Sequence, residues 1–166
     1  MAKADFVIKL GGSAITHQDS PLTPNLPVID AVGKEIAQSL GGKKIVLVYG
    51  GGSFGHSAAG RHLVEGRLPS PLGMAEVRGA MLSLSKIITD SFLAEGLPLL
   101  CITPSSTLTL RGGHIASEAC LLEVVSTALK SGLIPAVGGD MVLHHHLSLG
   151  ALTAFLLYLA SFFAPI

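Results

Sequence analysis

The stretch Ile45-Val46-Leu47-Val48-Tyr49-Gly50-Gly51-Gly52-Ser53-Phe54-Gly55-His56 decides how the rest of the chain is read. Ile45–Val48 is a short apolar run closed by a turn signal, the pattern of a strand buried on both faces. Three glycines in succession then leave the backbone bare, and Gly55 adds a fourth. Bare backbone lets amide N–H groups approach an anion closely, and a helix starting there adds the positive end of its dipole. His56 places one titratable side chain at the edge of that cradle. The expectation is a loop that holds a phosphate group.

Working toward the N-terminus, Phe6-Val7-Ile8 with Leu10 reads as another buried strand, carrying Lys9. It runs straight into Gly11-Gly12-Ser13, and Thr16 follows. On one reading Lys9 supplies charge and the Gly11, Gly12 and Ser13 amides supply donors to a phosphate. On the other this is a tight strand-to-helix turn with a solvated lysine. The presence of the triple-glycine loop favours the first. Between the two strands, residues 19–27 hold Pro21, Pro24 and Pro27 and read as a loop. Val28 to Leu40 has helical spacing, closed by Gly41-Gly42.

Toward the C-terminus, Ser53 to Leu63 reads as a short helix and Leu68 to Leu72 as a proline-interrupted loop. Met74 to Glu95 reads as the longest helix. Its stripe of Val77, Met81, Leu84, Ile88 and Phe92 is expected in the core, with an apolar substrate pocket as the lesser alternative. Leu99–Ile102 is a strand ending in Thr103-Pro104-Ser105-Ser106, whose hydroxyls suit either a ligand or a local turn or cap. Leu108–Leu110 and His114-Ile115 flank Arg111-Gly112-Gly113 as a hairpin-like pair, with Arg111 a solvated turn residue. Glu118 to Ser131 reads as a helix, Ile134–Val137 as a strand, and Gly138-Gly139-Asp140 as a third glycine turn. This order implies an α/β fold with a largely parallel sheet. Ligands bind such sheets beyond the carboxyl ends of the strands, where these loops lie.

The bulk properties agree. The chain has 166 residues, 49% apolar and only 13% charged, which suits an α/β domain with strands buried on both faces. A formal net charge of zero argues against a dedicated nucleic-acid or acidic-membrane binder. The two cysteines, Cys101 and Cys120, form no disulfide or metal pattern, so a reduced, cytoplasmic setting is the default. No secretory leader is expected at the N-terminus. His144-His145-His146 reads as a solvated segment, since alternate residues of a strand face opposite ways.

Gly50-x-Gly52-x-x-Gly55 formally fits the dinucleotide fingerprint, but Glu76, near the expected distance for its acidic partner, falls on a helix start rather than a strand end. No Walker A pattern and no zinc spacing occur. Phosphoryl transfer fits better, because it needs positioning and charge neutralisation more than covalent chemistry. An acceptor phosphate, with a second pKa of about 6, is already largely ionised near neutral pH and needs no general base.

Four segments carry a resemblance: Lys9-Leu10-Gly11-Gly12-Ser13-Ala14-Ile15-Thr16, Gly50–His56, Thr103–Ser106, and Ile134-Pro135 leading to Gly139-Asp140. In order and spacing they resemble the amino-acid kinase superfamily, and within it the isopentenyl phosphate kinases. The resemblance implies an αβα sandwich with a mainly parallel central sheet, usually dimeric. It implies ATP-dependent phosphorylation of isopentenyl phosphate to isopentenyl diphosphate, with Mg2+. By carry-over His56 binds the substrate phosphate with Gly51, Gly52 and Gly55. Lys9 stabilises the transferring phosphoryl group, with Gly11, Gly12 and Ser13 near the ATP phosphates. Gly139 and Asp140 line the meeting point of the two substrates. A fosfomycin kinase-like activity shares the histidine motif and stays open, as does a non-catalytic prenyl-phosphate-binding or dimerising fragment.

The likeness covers residues 1–143, the expected substrate-binding lobe. Where the family carries a second lysine, this chain has His17-Gln18, and Ala151 stands where a Ser-Gly-Asp turn is expected. Residues 144–166 are expected to be a divergent apolar start of a truncated nucleotide lobe. Leu147–Ile166 carries no charge and is about long enough to span a bilayer. Gly150, Thr153, Ser161 and Pro165 interrupt it, and a core helix is favoured over a membrane anchor.

Overall fold

The computed structural model describes residues 2–62, 70–111, 114–115, 119–140 and 143–144. Four parallel strands form the central sheet: β1 (Phe6–Leu10), β2 (Ile45–Tyr49), β3 (Leu99–Ile102) and β6 (Ile134–Gly138), in the order β1-β2-β6-β3. Register pairs Leu10 with Tyr49, Tyr49 with Gly138, and Ile102 with Val137. All four carboxyl ends therefore share one edge of the sheet, as expected from the sequence.

The strands are buried on both sides because their side chains alternate between two apolar layers. Ile45, Leu47 and Tyr49 of β2 face a core made with α2 (Leu26–Ser39) and α4 (Pro71–Ala94), through Ile29, Ile36, Met81, Leu84, Ile88 and Phe92. Val46 and Val48 face the other way, against Leu121, Val125 and Leu129 of α5 (Ala119–Lys130). The stripe assigned to the long helix is thus core, with Leu84, Ile88 and Phe92 fully buried. Truncating one of them, as in Leu84→Ala, would cost about 2–5 kcal/mol.

After β1 comes a four-residue helix, α1 (Gly12–Ile15), and after β2 comes α3 (Gly52–Gly60), which packs on α4. The chain then crosses to β3 and returns over the opposite face through α5, so that β6 inserts between β2 and β3. Reversals of this kind put a crevice at the carboxyl edge, where ligands bind. A second sheet joins β4 (Thr109–Arg111) antiparallel to β5 (His114–Ile115), the expected hairpin, and parallel to β7 (Leu143–His144). The β7 pairing was not legible locally, because its partner lies more than thirty residues earlier.

One boundary differs instructively. Pro71-Leu72, expected in a loop, opens α4. Ser70 caps the helix, its hydroxyl accepting from the Gly73 amide at 3.1 Å. Proline at the first helical position has no amide to leave unsatisfied, so here it starts the helix. Arg111 lies within β4 and His144 within β7. The remainder of the triple-histidine run and the apolar segment 147–166 lie outside the described residues. Among the described residues no helix is long and apolar enough to cross a membrane.

Candidate active site

The two glycine turns meet backbone to backbone. A Cβ placed on Gly12 would lie 2.7 Å from the Gly52 Cα, and one on Gly50 would lie 2.9 Å from the Gly12 nitrogen. Gly52 has φ +48 and its missing Cβ would collide with Thr16 Oγ1 and the Gly12 carbonyl. A residue with a side chain meets both strain and overlap there. Thr16, 2% exposed, joins the turns: its hydroxyl donates to Gly12 O at 2.7 Å and accepts the Ser53 amide at 2.9 Å. Gln18 Nε2 donates to the same oxygen at 3.0 Å.

Following each amide shows what remains for a ligand. The Gly50 amide donates to Leu10 O, Ser53 to Thr16, and Phe54 and Gly55 to Gly51 O; Ala14 and Ile15 donate to Gly11 O. The amides of Gly11, Gly12, Ser13, Gly51 and Gly52 have no acceptor among the described residues. Opening amides of a helix have no intrahelical partner. Here two such sets sit on turns in direct contact, and unpaired amides of this kind are the donors an anion uses. The Ser53 hydroxyl, buried in the same turn, also has no partner among the described residues.

The turn after β6 joins them. The Gly139 amide donates to Tyr49 O at 2.8 Å, and a Cβ on Gly139 would lie 3.2 Å from the Gly51 nitrogen. Gly138 is required for a different reason: its Cβ would strike the Tyr49 ring at 2.6 Å. That ring is buried, and its hydroxyl is paired with Ser85 Oγ of α4 at 2.6 Å. Burial, and then the neighbouring Cys101, pushes the Tyr49 phenol far above its usual range.

Of the charged candidates, His56 is exposed in α3, opposite the face that buries Phe54 and Ala58. It makes no hydrogen bond among the described residues. Lys9 is exposed on edge strand β1, on the Val7 side of the sheet that faces α5. The two sit on different elements, Lys9 on the α5 side of the sheet and His56 on a helix that packs against α4. Asp140 is drawn inward: its side chain is 1% exposed, and Oδ2 accepts from the Ser105 amide at 3.0 Å and from Arg78 Nη1 at 3.3 Å. Residues 104–106 form a single 3-10 turn, and the Thr103 and Ser106 hydroxyls accept from Arg78 rather than standing free. Arg78 is the rim residue that sequence reading missed. Its helical position next to the buried Val77 carried no signal that its head reaches two strand-end loops.

Glycine turns packed together at neighbouring ends of parallel strands define an α/β protein with its loops gathered at one edge of the sheet. The family model of the amino acid kinase family matches residues 6–154, and the chain belongs to that family. It is similar to proteins named isopentenyl phosphate kinase. The one from Methanothermobacter thermautotrophicus is 31% identical over 149 residues, 83% of this chain and 54% of the relative. The one from Methanocaldococcus jannaschii is 28% identical over 149 residues, 82% of this chain and 56% of the relative. The chain thus spans about half the length of these curated relatives. A structure described as isopentenyl phosphate kinase superposes with a TM-score of 0.75 at 28% identity, covering 87% of this chain and 60% of that one. Aspartate kinase from Synechocystis shares the fold, with a TM-score of 0.62 at 17% identity over 93% of this chain and 25% of that one.

Proposed function

We propose that this chain carries the phosphate-acceptor half of an ATP-dependent kinase that converts isopentenyl phosphate to isopentenyl diphosphate. The observation that carries the reading is the contact between the Gly11–Ser13 and Gly50–Gly55 turns with their unpaired amides. Two adjacent donor sets suit two phosphates brought end to end. The names of the relatives support the substrate.

In this proposal His56 grips the acceptor phosphate, helped by the Gly51 and Gly52 backbone; Gly55, expected to share that task, has its amide taken by Gly51 O and offers no donor. An oxygen of that phosphate attacks the γ-phosphorus of ATP, the bond to the bridging oxygen breaks, and ADP leaves. The acceptor is already anionic, so no base is needed. Lys9 offsets charge on the transferring phosphoryl group, with the Gly11, Gly12 and Ser13 amides at the nucleotide phosphates. Gly139 and Asp140 lie where the substrates meet. Among the described residues no cluster of three acidic, histidine or cysteine side chains could hold a metal. The one carboxylate of these turns, Asp140, is already bound to Arg78 and the Ser105 amide. These residues make no all-protein Mg2+ cage; the ion would be held chiefly by the nucleotide phosphates, and no step is routed through it. A homodimer and a cytoplasmic setting belong to the same proposal.

A second reading, a prenyl-phosphate-binding unit without catalysis, is favoured by Gln18. It stands where the resemblance calls for a lysine, and it spends its amide on Thr16. Calorimetry with isopentenyl phosphate and ATP separately, followed by a product assay, decides. Binding of both with transfer lost in His56→Ala supports the kinase. Isopentenyl phosphate binding without ATP binding supports the second reading, and binding of neither removes both.

A further inference from the structure

Arg78 sits in the third turn of α4, held in place where the adjoining Val77 packs on Ala58 of α3. Its guanidinium reaches two strand-end loops. Nη1 donates to Asp140 Oδ2 after β6 at 3.3 Å. Nη2 donates to Ser106 Oγ at 2.9 Å and Thr103 Oγ1 at 3.3 Å after β3. Asp140 in turn accepts from the Ser105 amide, so carboxylate, guanidinium and 3-10 turn are tied to one another.

We propose that Arg78 is a positioning residue that pins the loops after β3 and β6 to α4 and cancels the Asp140 charge, so that a phosphate can approach the glycine turns. The charge half of this rests on the proposed function. Asp140 follows Gly139, whose backbone lies against Gly51 in the triple-glycine turn. A carboxylate this close to an anion cradle repels the ligand unless a cation answers it. At 1% side-chain exposure, water screens Asp140 little. An arginine suits both tasks: its planar fork spans acceptors on two loops at once, which the single point charge of a lysine does not.

The test uses the full chain and Arg78→Gln, Arg78→Lys, Asp140→Asn and the double variant Arg78→Gln/Asp140→Asn. Without ligand, amide exchange is followed by NMR at Ser105, with Ser53 as the internal reference because its amide is held by Thr16. Arg78→Gln is expected to speed Ser105 exchange about tenfold and leave Ser53 unchanged. Binding is measured by calorimetry with isopentenyl phosphate and with inorganic pyrophosphate, at fixed ionic strength. Arg78→Gln is expected to weaken both by roughly tenfold or more, with Arg78→Lys in between. The double variant is expected to recover most of the loss, which a merely structural role for Arg78 would not produce. If Arg78→Gln does not fold, Asp140→Asn alone decides the charge half, since removing the carboxylate while keeping Arg78 should tighten pyrophosphate binding. Unchanged Ser105 exchange overturns the pin. Failure of the double variant to recover, or of Asp140→Asn to tighten, overturns the charge cancellation. If the natural chain binds neither anion, the proposed function and the charge half fall together, while the exchange result still decides the pin.

Discussion

Gly12 and Gly52 touch through their main chains, on turns that leave two different strands. A Cβ on Gly12 would sit 2.7 Å from the Gly52 Cα, and Gly52 itself holds φ +48. Neither neighbour can yield, because each is backbone. Gly12→Ala and Gly52→Ala are therefore expected to destabilise the chain by about 2–4 kcal/mol, through overlap in the first and overlap plus strain in the second. Gly51→Ala is the informative contrast. Its Cβ would meet Met81 Sδ at 2.9 Å, in a flexible side chain, and its nearest backbone atom, the Gly55 Cα, only at 3.2 Å. Urea denaturation of the three variants should rank Gly51→Ala as the mildest.

Thr16 offers a second measurement. Its hydroxyl takes part in three hydrogen bonds, with Gly12 O, the Ser53 amide and Gln18. Thr16→Val keeps the shape and removes all three. The buried Ser53 amide then loses its acceptor, and about 1–3 kcal/mol of stability should go with it. Ser53 amide exchange should quicken in the same variant, and exchange as slow as in the natural chain would refute the assignment of Thr16 as the link between the turns.

Much of this was legible in the sequence. The apolar runs of β1, β2, β3 and β6 gave the strands, and the glycines after β1, β2 and β6 marked the rim, because both signals are local. Helical spacing placed α2, α4 and α5 to within a few residues. What was not legible depends on contacts between distant segments. Thr16 reads as an ordinary residue after a turn until Ser53 comes against it. Asp140, placed by the resemblance where the substrates meet, gives no sign in the sequence of Arg78, sixty-two positions earlier, which donates to it. Pro71 was misplaced for a different reason: a proline ends a helix from inside and begins one at its first position, and only the Ser70 cap distinguishes the two.

The Tyr49 phenol sets an alkaline limit on the fold. Burial, followed by Cys101, holds it above its ordinary value of 10.0. The folded chain thus keeps this proton more tightly than the unfolded chain does. The resulting stability is complete below a pH of about 10 and is lost as pH rises beyond it. Tyr49→Phe should cost about 0.5–1.5 kcal/mol at neutral pH, from the lost bond with Ser85. It also removes the alkaline loss. Urea midpoints of the two chains should therefore converge as pH rises from about 9 to about 11, and a constant gap would mean the phenol ionises without strain.

On the proposed assignment, Lys9 serves the phosphoryl group in transit and not the acceptor phosphate. It is exposed on edge strand β1, so Lys9→Met should change stability by no more than about 0.5 kcal/mol. Its strand leads into the Gly11–Ser13 turn, while the acceptor phosphate is assigned to the turn after β2. The charge Lys9 offsets is then the one that spreads over the phosphoryl group in transit. Such a group acts mainly in the transition state, and its loss should lower kcat by about 10²–10³-fold. Isopentenyl phosphate affinity, measured by calorimetry in the absence of ATP, should stay as it was. A fall in that affinity as large as the fall in kcat would move Lys9 to the acceptor phosphate, and the division of labour between the two glycine turns would have to be reversed.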